Sequence, residues 1–193
     1  MSDYRRLYWP GGAYFFTVVT AARRPLFRDT KNVRLLRDAV AETKSFFPFE
    51  ILASVILPDH LHMIWRLPEA DVAYSQRWSS VKQNFTKRYA AAGRNEVCLS
   101  ASQRTERRRG VWQRRFYEHT IRDDDDMRRH RNYTHFNPVK HGYVKRAADW
   151  PYSSLQREIA AGRVSPEWGS RPGEAERFSV RLPPVAVGEE DDA

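Results

Sequence analysis

Cysteine is almost missing from this chain of 193 residues: Cys98 stands alone, which excludes an intramolecular disulfide and any Cys-rich zinc site. Long apolar runs are missing too. No stretch approaches the roughly 18 residues of a membrane span, and Met1-Ser2-Asp3-Tyr4-Arg5-Arg6 has none of the apolar character of a secretory leader. A cytoplasmic protein with no membrane partner is expected. There is no evident internal repeat. Acidic residues are in deficit, with 24 Asp plus Glu against 33 Lys plus Arg and a net charge of +9. That balance suits a polyanionic partner such as nucleic acid. Because Glu189-Glu190-Asp191-Asp192 is acidic, the rest of the chain is more basic than the total indicates.

Against this background Leu57-Pro58-Asp59-His60-Leu61-His62-Met63-Ile64-Trp65 stands out. Successive side chains of a strand point to opposite sides, so His60, His62 and Ile64 share one face while Leu61, Met63 and Trp65 share the other. The second set can pack a core. The first can present two imidazoles to a divalent metal, and an outward-facing pair would be expendable for folding.

A second informative stretch is Arg128-Arg129-His130-Arg131-Asn132-Tyr133-Thr134-His135-Phe136-Asn137-Pro138. Asp123 to Asp126 supply an N-cap and the negative charge that a helix N-terminus favours, which predicts a helix from about Asp124 to Phe136. Tyr133 and Asn137 are four apart and share a helix face. Pro138 disfavours the α conformation at Asn137, so the Asn is expected at the fraying end. The remaining histidines, His119, His130, His135 and His141, read as surface, packing or phosphate-contact residues.

Elsewhere, Tyr14 to Thr20 reads as a buried strand, and Val33, Leu36, Ala39 and Val40 mark a helix over 30–46. Phe49 to Leu57 and His60 to Arg66 form an antiparallel hairpin through Pro58-Asp59. A long helix over 71–92 carries the stripe Trp78, Val81, Phe85 and Tyr89, and Val111 to Ile121 reads as a last strand. The order β-α-β-β-α-β with a terminal helix gives an α+β fold of ferredoxin-like type. Residues 1–160 are expected to form one domain. Residues 161–193, rich in Pro and Gly and acidic at the end, read as an irregular, flexible tail.

Several motifs in one order, namely Gly12 to Val18, Leu57-Pro58-Asp59 with His60-Leu61-His62, Tyr133 with Asn137-Pro138-Val139-Lys140-His141-Gly142, and Trp150-Pro151-Tyr152-Ser153-Ser154, resemble the REP-associated tyrosine transposases. These are bacterial relatives of the IS200/IS605-type single-strand transposases in the HUH endonuclease superfamily. The resemblance covers about residues 4 to 155. It implies an antiparallel sheet with helices packed on one face, Tyr133 as nucleophile, and His60, His62 and Asn137 as ligands of Mg²⁺ or Mn²⁺. Relatives often carry Gln where Asn137 stands. The implied activity is cleavage of single-stranded DNA at REP-type hairpins through a 5′-phosphotyrosine, with the oligomeric state left open. Two other readings of the same chain are a hairpin-binding regulatory module without catalysis and an RNA-binding ferredoxin-like domain.

For DNA binding, Arg104, Arg107, Arg108, Arg109, Arg114 and Arg115 are interleaved with Trp112, Phe116 and Tyr117, and Tyr4, Arg5 and Arg6 form a second basic-aromatic cluster. Cations on phosphates with aromatic rings under bases are what a single strand needs.

Overall fold

A computed structural model describes residues 9–94 and 110–170 together with 178 and 180. Tyr4, Arg5, Arg6, Arg104, Arg107, Arg108 and Arg109 lie outside the described residues. The element order is β1 (Ala13–Val19), α1 (Thr30–Phe46), β2 (Glu50–Ile56), β3 (His60–Arg66), α2 (Tyr74–Ala91), β4 (Tyr117–Thr120), α3 (Asp124–Lys140) and the short α4 (Leu155–Ala160). The four strands form one antiparallel sheet in the order β2-β3-β1-β4, as a ferredoxin-like topology requires.

Strand parity sorts the core into two layers. Tyr14, Phe16, Leu61, Met63 and Trp65 face α1 and α2, where they meet Val33, Leu36, Ala39, Trp78, Val81 and Phe85. This is the expected layer of helices on one face, and it holds most of the aromatic packing, including Trp65 stacked on Trp78 at 4.1 Å. Burying each such ring is worth about 2 to 3 kcal/mol. Phe15, Ala53, Ile64 and Tyr133 make a smaller cluster on the opposite side, where α3 lies across β2 and β3. Both faces of β3 are therefore covered, and every residue of it except Arg66 is buried.

Three boundaries differ from the sequence expectation, each for a local reason. Helix α2 begins at Tyr74 rather than Asp71, because the Asp71 carboxylate accepts from the Ala73 amide at 2.7 Å and pairs with buried Arg77 at 2.6 Å. The expected strand over 111–121 is reduced to Tyr117–Thr120. Ahead of it the chain stays bonded to the end of β1, with Trp112 bridged to Thr20 and Gln113 N–H donating to Val19 O at 3.0 Å, but two residues out of register with the Thr17–Tyr117 pair, so the ladder is interrupted between them. Helix α3 runs four residues past Phe136, with Pro138 inside it. A left-handed Gly142 (φ +69°) ends it, with Gly142 N–H donating to Val139 O and Tyr143 N–H to Pro138 O, each at 2.9 Å. This paired cap satisfies the last carbonyls and holds the final turn despite the proline.

Past Ala160, Trp168 lies 6.2 Å from the His135 ring on α3, and Phe178 stacks on Trp168 at 4.8 Å and meets Phe136 at 5.4 Å. Among the described residues, no helix is long and apolar enough to cross a membrane.

Candidate active site

His60 and His62 do share one face of β3, with ring centroids 5.0 Å apart. They do not face outward. His60 is 4 % and His62 1 % exposed, because α3 crosses that face and sets Tyr133 against His62 at 5.2 Å. The expectation of an exposed, expendable pair is thus corrected: parity fixed which side the imidazoles take, while α3 buried them. Asn137 is likewise corrected from a fraying end to a fully buried position within α3.

Each imidazole is oriented through its Nδ1. His60 Nδ1 lies 2.7 Å from Asp59 Oδ1, and Arg23 bonds the other carboxylate oxygen at 2.7 Å. Partial burial works to raise the Asp59 pKa, but hydrogen bonds and charge from His60 and Arg23 outweigh it and bring it down to about 2. The carboxylate is therefore ionised and only accepts, so His60 Nδ1 carries a proton and the ring is oriented through that nitrogen. His62 Nδ1 bonds Thr17 Oγ1 at 2.9 Å on the neighbouring strand. Burial first, then the charges of His60, His141 and Lys140, hold the His62 pKa well below its ordinary value against a smaller opposing effect of Asn137. His62 is a neutral imidazole at physiological pH, the form that binds metal.

Two atoms at this site lack partners. His62 Nε2 and Asn137 Oδ1 are both buried without a hydrogen bond, a costly condition for polar atoms in a protein interior. Asn137 Nδ2 is occupied, donating to the Tyr133 carbonyl at 3.2 Å, which leaves its oxygen as the free end. A neutral imidazole nitrogen and an amide oxygen, both unsatisfied beside His60, fit a divalent cation that accepts mixed N and O ligands. Lys140 adds a positive charge, its Nζ lying 4.8 Å from the centre of the Tyr133 ring. Burial raises the Tyr133 pKa, and the nearby Asn137 side chain works in the other direction.

A second cluster escaped the sequence reading. His119 on β4 lies opposite Phe15 in the sheet, and its Nε2 is 2.8 Å from Asp126 Oδ2, while His130 Nδ1 is 3.1 Å from Asp126 Oδ1. Their ligand atoms all lie within 4.8 Å of one another, close enough to share an ion. His130 Nδ1 lies closer still to the Asp126 main-chain carbonyl, at 2.9 Å, Asp126 Oδ2 also accepts from the Arg122 amide at 3.1 Å, and the two rings lie nearly parallel, 4.4 Å apart. As it stands the cluster is a clamp that ties the first turn of α3 to β4. The signal available in the sequence was His130 four residues after Asp126, on one helix face. His135 bonds Ser154 Oγ at 2.8 Å instead, and exposed His141 lies 5.2 Å from His60.

The expected DNA contacts divide. Arg114 and Arg115 are exposed. Trp112 instead turns its ring onto Phe27 and Phe85, with centroids 5.8 and 5.1 Å away. It serves the core, because the Thr20 bridge directs it inward.

A family model described as "Transposase IS200 like" matches residues 11–137, the span that holds β1, the His pair, Tyr133 and Asn137. The chain belongs to this transposase family. Its similarity is sharper than the family as a whole. A REP-associated tyrosine transposase of Escherichia coli (strain K12) is 41 % identical over 180 residues, covering 93 % of this chain and 96 % of that protein. A solved structure of a REP-associated tyrosine transposase bound to a REP hairpin matches with a TM-score of 0.71 and 40 % identity, covering 87 % of this chain and 91 % of that one. The chain is thus a member of the REP-associated branch of these transposases.

The Asp59 buttress predicts a pH effect. A carboxyl whose folded pKa is depressed adds stability above its unfolded value near 3.8 and loses it as pH falls through about 2. The melting-temperature advantage of the wild type over Asp59→Asn should therefore be steady near neutral pH and shrink between about pH 4 and pH 2. Parallel melting curves across that range would show the buttress to be inert if the gap stays constant.

Proposed function

We propose that this protein is a metal-dependent single-strand DNA endonuclease and strand transferase that acts on REP-type hairpins through Tyr133. The observation that carries this reading is the pair of unsatisfied buried atoms, His62 Nε2 and Asn137 Oδ1, beside the Tyr133 ring. Binding alone needs neither. His60, His62 and Asn137 would hold Mg²⁺ or Mn²⁺, which supplies Lewis-acid polarisation of a nonbridging phosphate oxygen when bound. The Tyr133 oxygen attacks the scissile phosphorus, the bond to the 3′ oxygen breaks, and that oxygen leaves as a 3′-hydroxyl. The product is a 5′-phosphotyrosine, which retains the energy of the broken bond. Attack by a DNA 3′-hydroxyl then rejoins strands without ATP. Lys140, beside the ring, supplies positive charge where negative charge gathers on the attacking group.

Residues 1–160 carry this catalytic domain and 161–193 an appended segment. Arg114 and Arg115, with Arg104, Arg107, Arg108, Arg109, Tyr4, Arg5 and Arg6, supply contacts to the DNA. The deciding experiment incubates purified protein with an end-labelled single-stranded REP-type hairpin in Mg²⁺, Mn²⁺ or EDTA and looks for a covalent protein–DNA adduct. An adduct that needs the divalent ion is expected; a bound hairpin that is never cleaved would leave a binding module.

Charge gives a further prediction. Replacing Arg107, Arg108 and Arg109 together should weaken binding to all hairpins about equally and flatten log affinity against log salt by about 0.7 to 0.9 per lost phosphate contact. An unchanged slope would remove these arginines from the interface.

A further inference from the structure

A row of aromatic rings leads from the His60–His62 pair to the surface. His141 lies edge-on to His60 at 5.2 Å, Tyr143 lies nearly parallel to His141 at 5.9 Å and 22°, and Trp150 is stacked on Tyr143 at 5.5 Å and 27°. The row is held at both ends. Trp150 Nε1 donates to the Ile56 carbonyl at 3.0 Å, and the Tyr143 amide is fixed by the cap of α3. At Gly142 an added Cβ would meet nothing within 4 Å. That glycine serves the backbone turn that sets Tyr143 beside His141.

Tyr143 is 39 % exposed, one of the large apolar side chains that the described residues leave at the surface. The ring is held nearly parallel to both His141 and Trp150 and still presents part of its surface to solvent. The charges around it favour a polyanion. Arg23 and Arg28 both lie near enough to influence the Tyr143 hydroxyl, Arg28 is exposed, and Lys140 and Lys145 are exposed on the same helix end and the turn after it. Asp59 is paired with Arg23 and His60 and offsets the Arg23 charge, so Arg28, Lys140 and Lys145 carry the positive charge beside the ring.

We propose that Tyr143, supported by His141 and Trp150, is a stacking platform for an unpaired nucleotide flanking the scissile phosphate, with Arg28 beside that nucleotide's backbone. The inference rests on the DNA-cleaving reading above and adds where the single strand leaves the site. Stacking accepts any base face, so the platform contributes affinity for the flank with little base preference.

The test measures equilibrium binding in EDTA, by fluorescence anisotropy, of a hairpin with an unpaired flank and of the same hairpin without it. Wild type is compared with Tyr143→Ala, Tyr143→Leu and Tyr143→Phe. Loss of one stacked base should weaken binding of the flanked hairpin at least about five-fold in the Ala and Leu variants. The Phe variant should bind as wild type does, and the flankless hairpin should bind all four proteins alike. Tyr143→Leu keeps apolar cover on Trp150, so it reports stacking even if Tyr143→Ala folds poorly. Equal losses on both hairpins, or none on the flanked one, would overturn the platform while hairpin binding stands. Failure of the wild type to bind either hairpin would overturn the DNA reading itself, and the platform with it.

Discussion

Tyr133→Phe is expected to reduce strand cleavage by about a thousand-fold or more while leaving hairpin binding within a few fold. Only the hydroxyl is lost. The ring keeps its edge contact with Phe15 at 5.9 Å and with His62 at 5.2 Å, and Lys140 keeps a ring to lie over. Asn137 still donates to the Tyr133 main-chain carbonyl, so the last turns of α3 are undisturbed. Denaturing gels of a labelled hairpin would read cleavage and adduct together, and gel shifts would read binding. Cleavage at the wild-type rate would remove Tyr133 from the mechanism. Loss of binding in parallel would mean that the hydroxyl holds the hairpin and does not attack it.

His62→Ala should be more damaging in two separable ways. Cleavage should vanish, because the proposed metal site loses a ligand, and stability should fall by about 2 kcal/mol, because a buried ring is removed and Thr17 Oγ1 loses its partner. The sequence alone pointed to a cheap truncation of an outward-facing side chain; burial under α3 makes it costly. His62→Gln, which keeps a polar side chain of some length, should recover part of the stability and little of the cleavage. Thermal melts give the first quantity, and cleavage over a Mn²⁺ titration gives the second. Full activity of either variant, or wild-type cleavage in excess EDTA, would sink the metal assignment.

How much of this site was legible in the sequence depends on how local each feature is. The alternation that places His60, His62 and Ile64 on one side of β3 is a property of any extended chain, and the structure follows it residue by residue. The helical spacing of Val33, Leu36, Ala39 and Val40 gave α1 its exact limits, and the i, i+4 relation put Tyr133 and Asn137 on one face. The motifs in their order were sufficient for the family. Where competing local signals met, the reading faltered: Pro138 argued for an early stop, and only the paired cap at Gly142 shows why the helix continues.

What the tertiary structure alone decided is which faces are covered and which distant side chains meet. Nothing near His62 in sequence says that α3 will lie over it, or that Trp112 will fill space between Phe27 and Phe85 and not await a base. The His119–Asp126–His130 clamp joins a strand to a helix, and the His60–His141–Tyr143–Trp150 row joins β3 to the far end of α3 and the loop beyond. Periodicity and capping are set by backbone geometry within a few residues, so the sequence by itself determined the elements and their faces. Burial, and with it the neutral His62 and the unsatisfied Asn137 oxygen, arises from packing between elements far apart in the chain. Only the folded sheet with α3 across it could decide those.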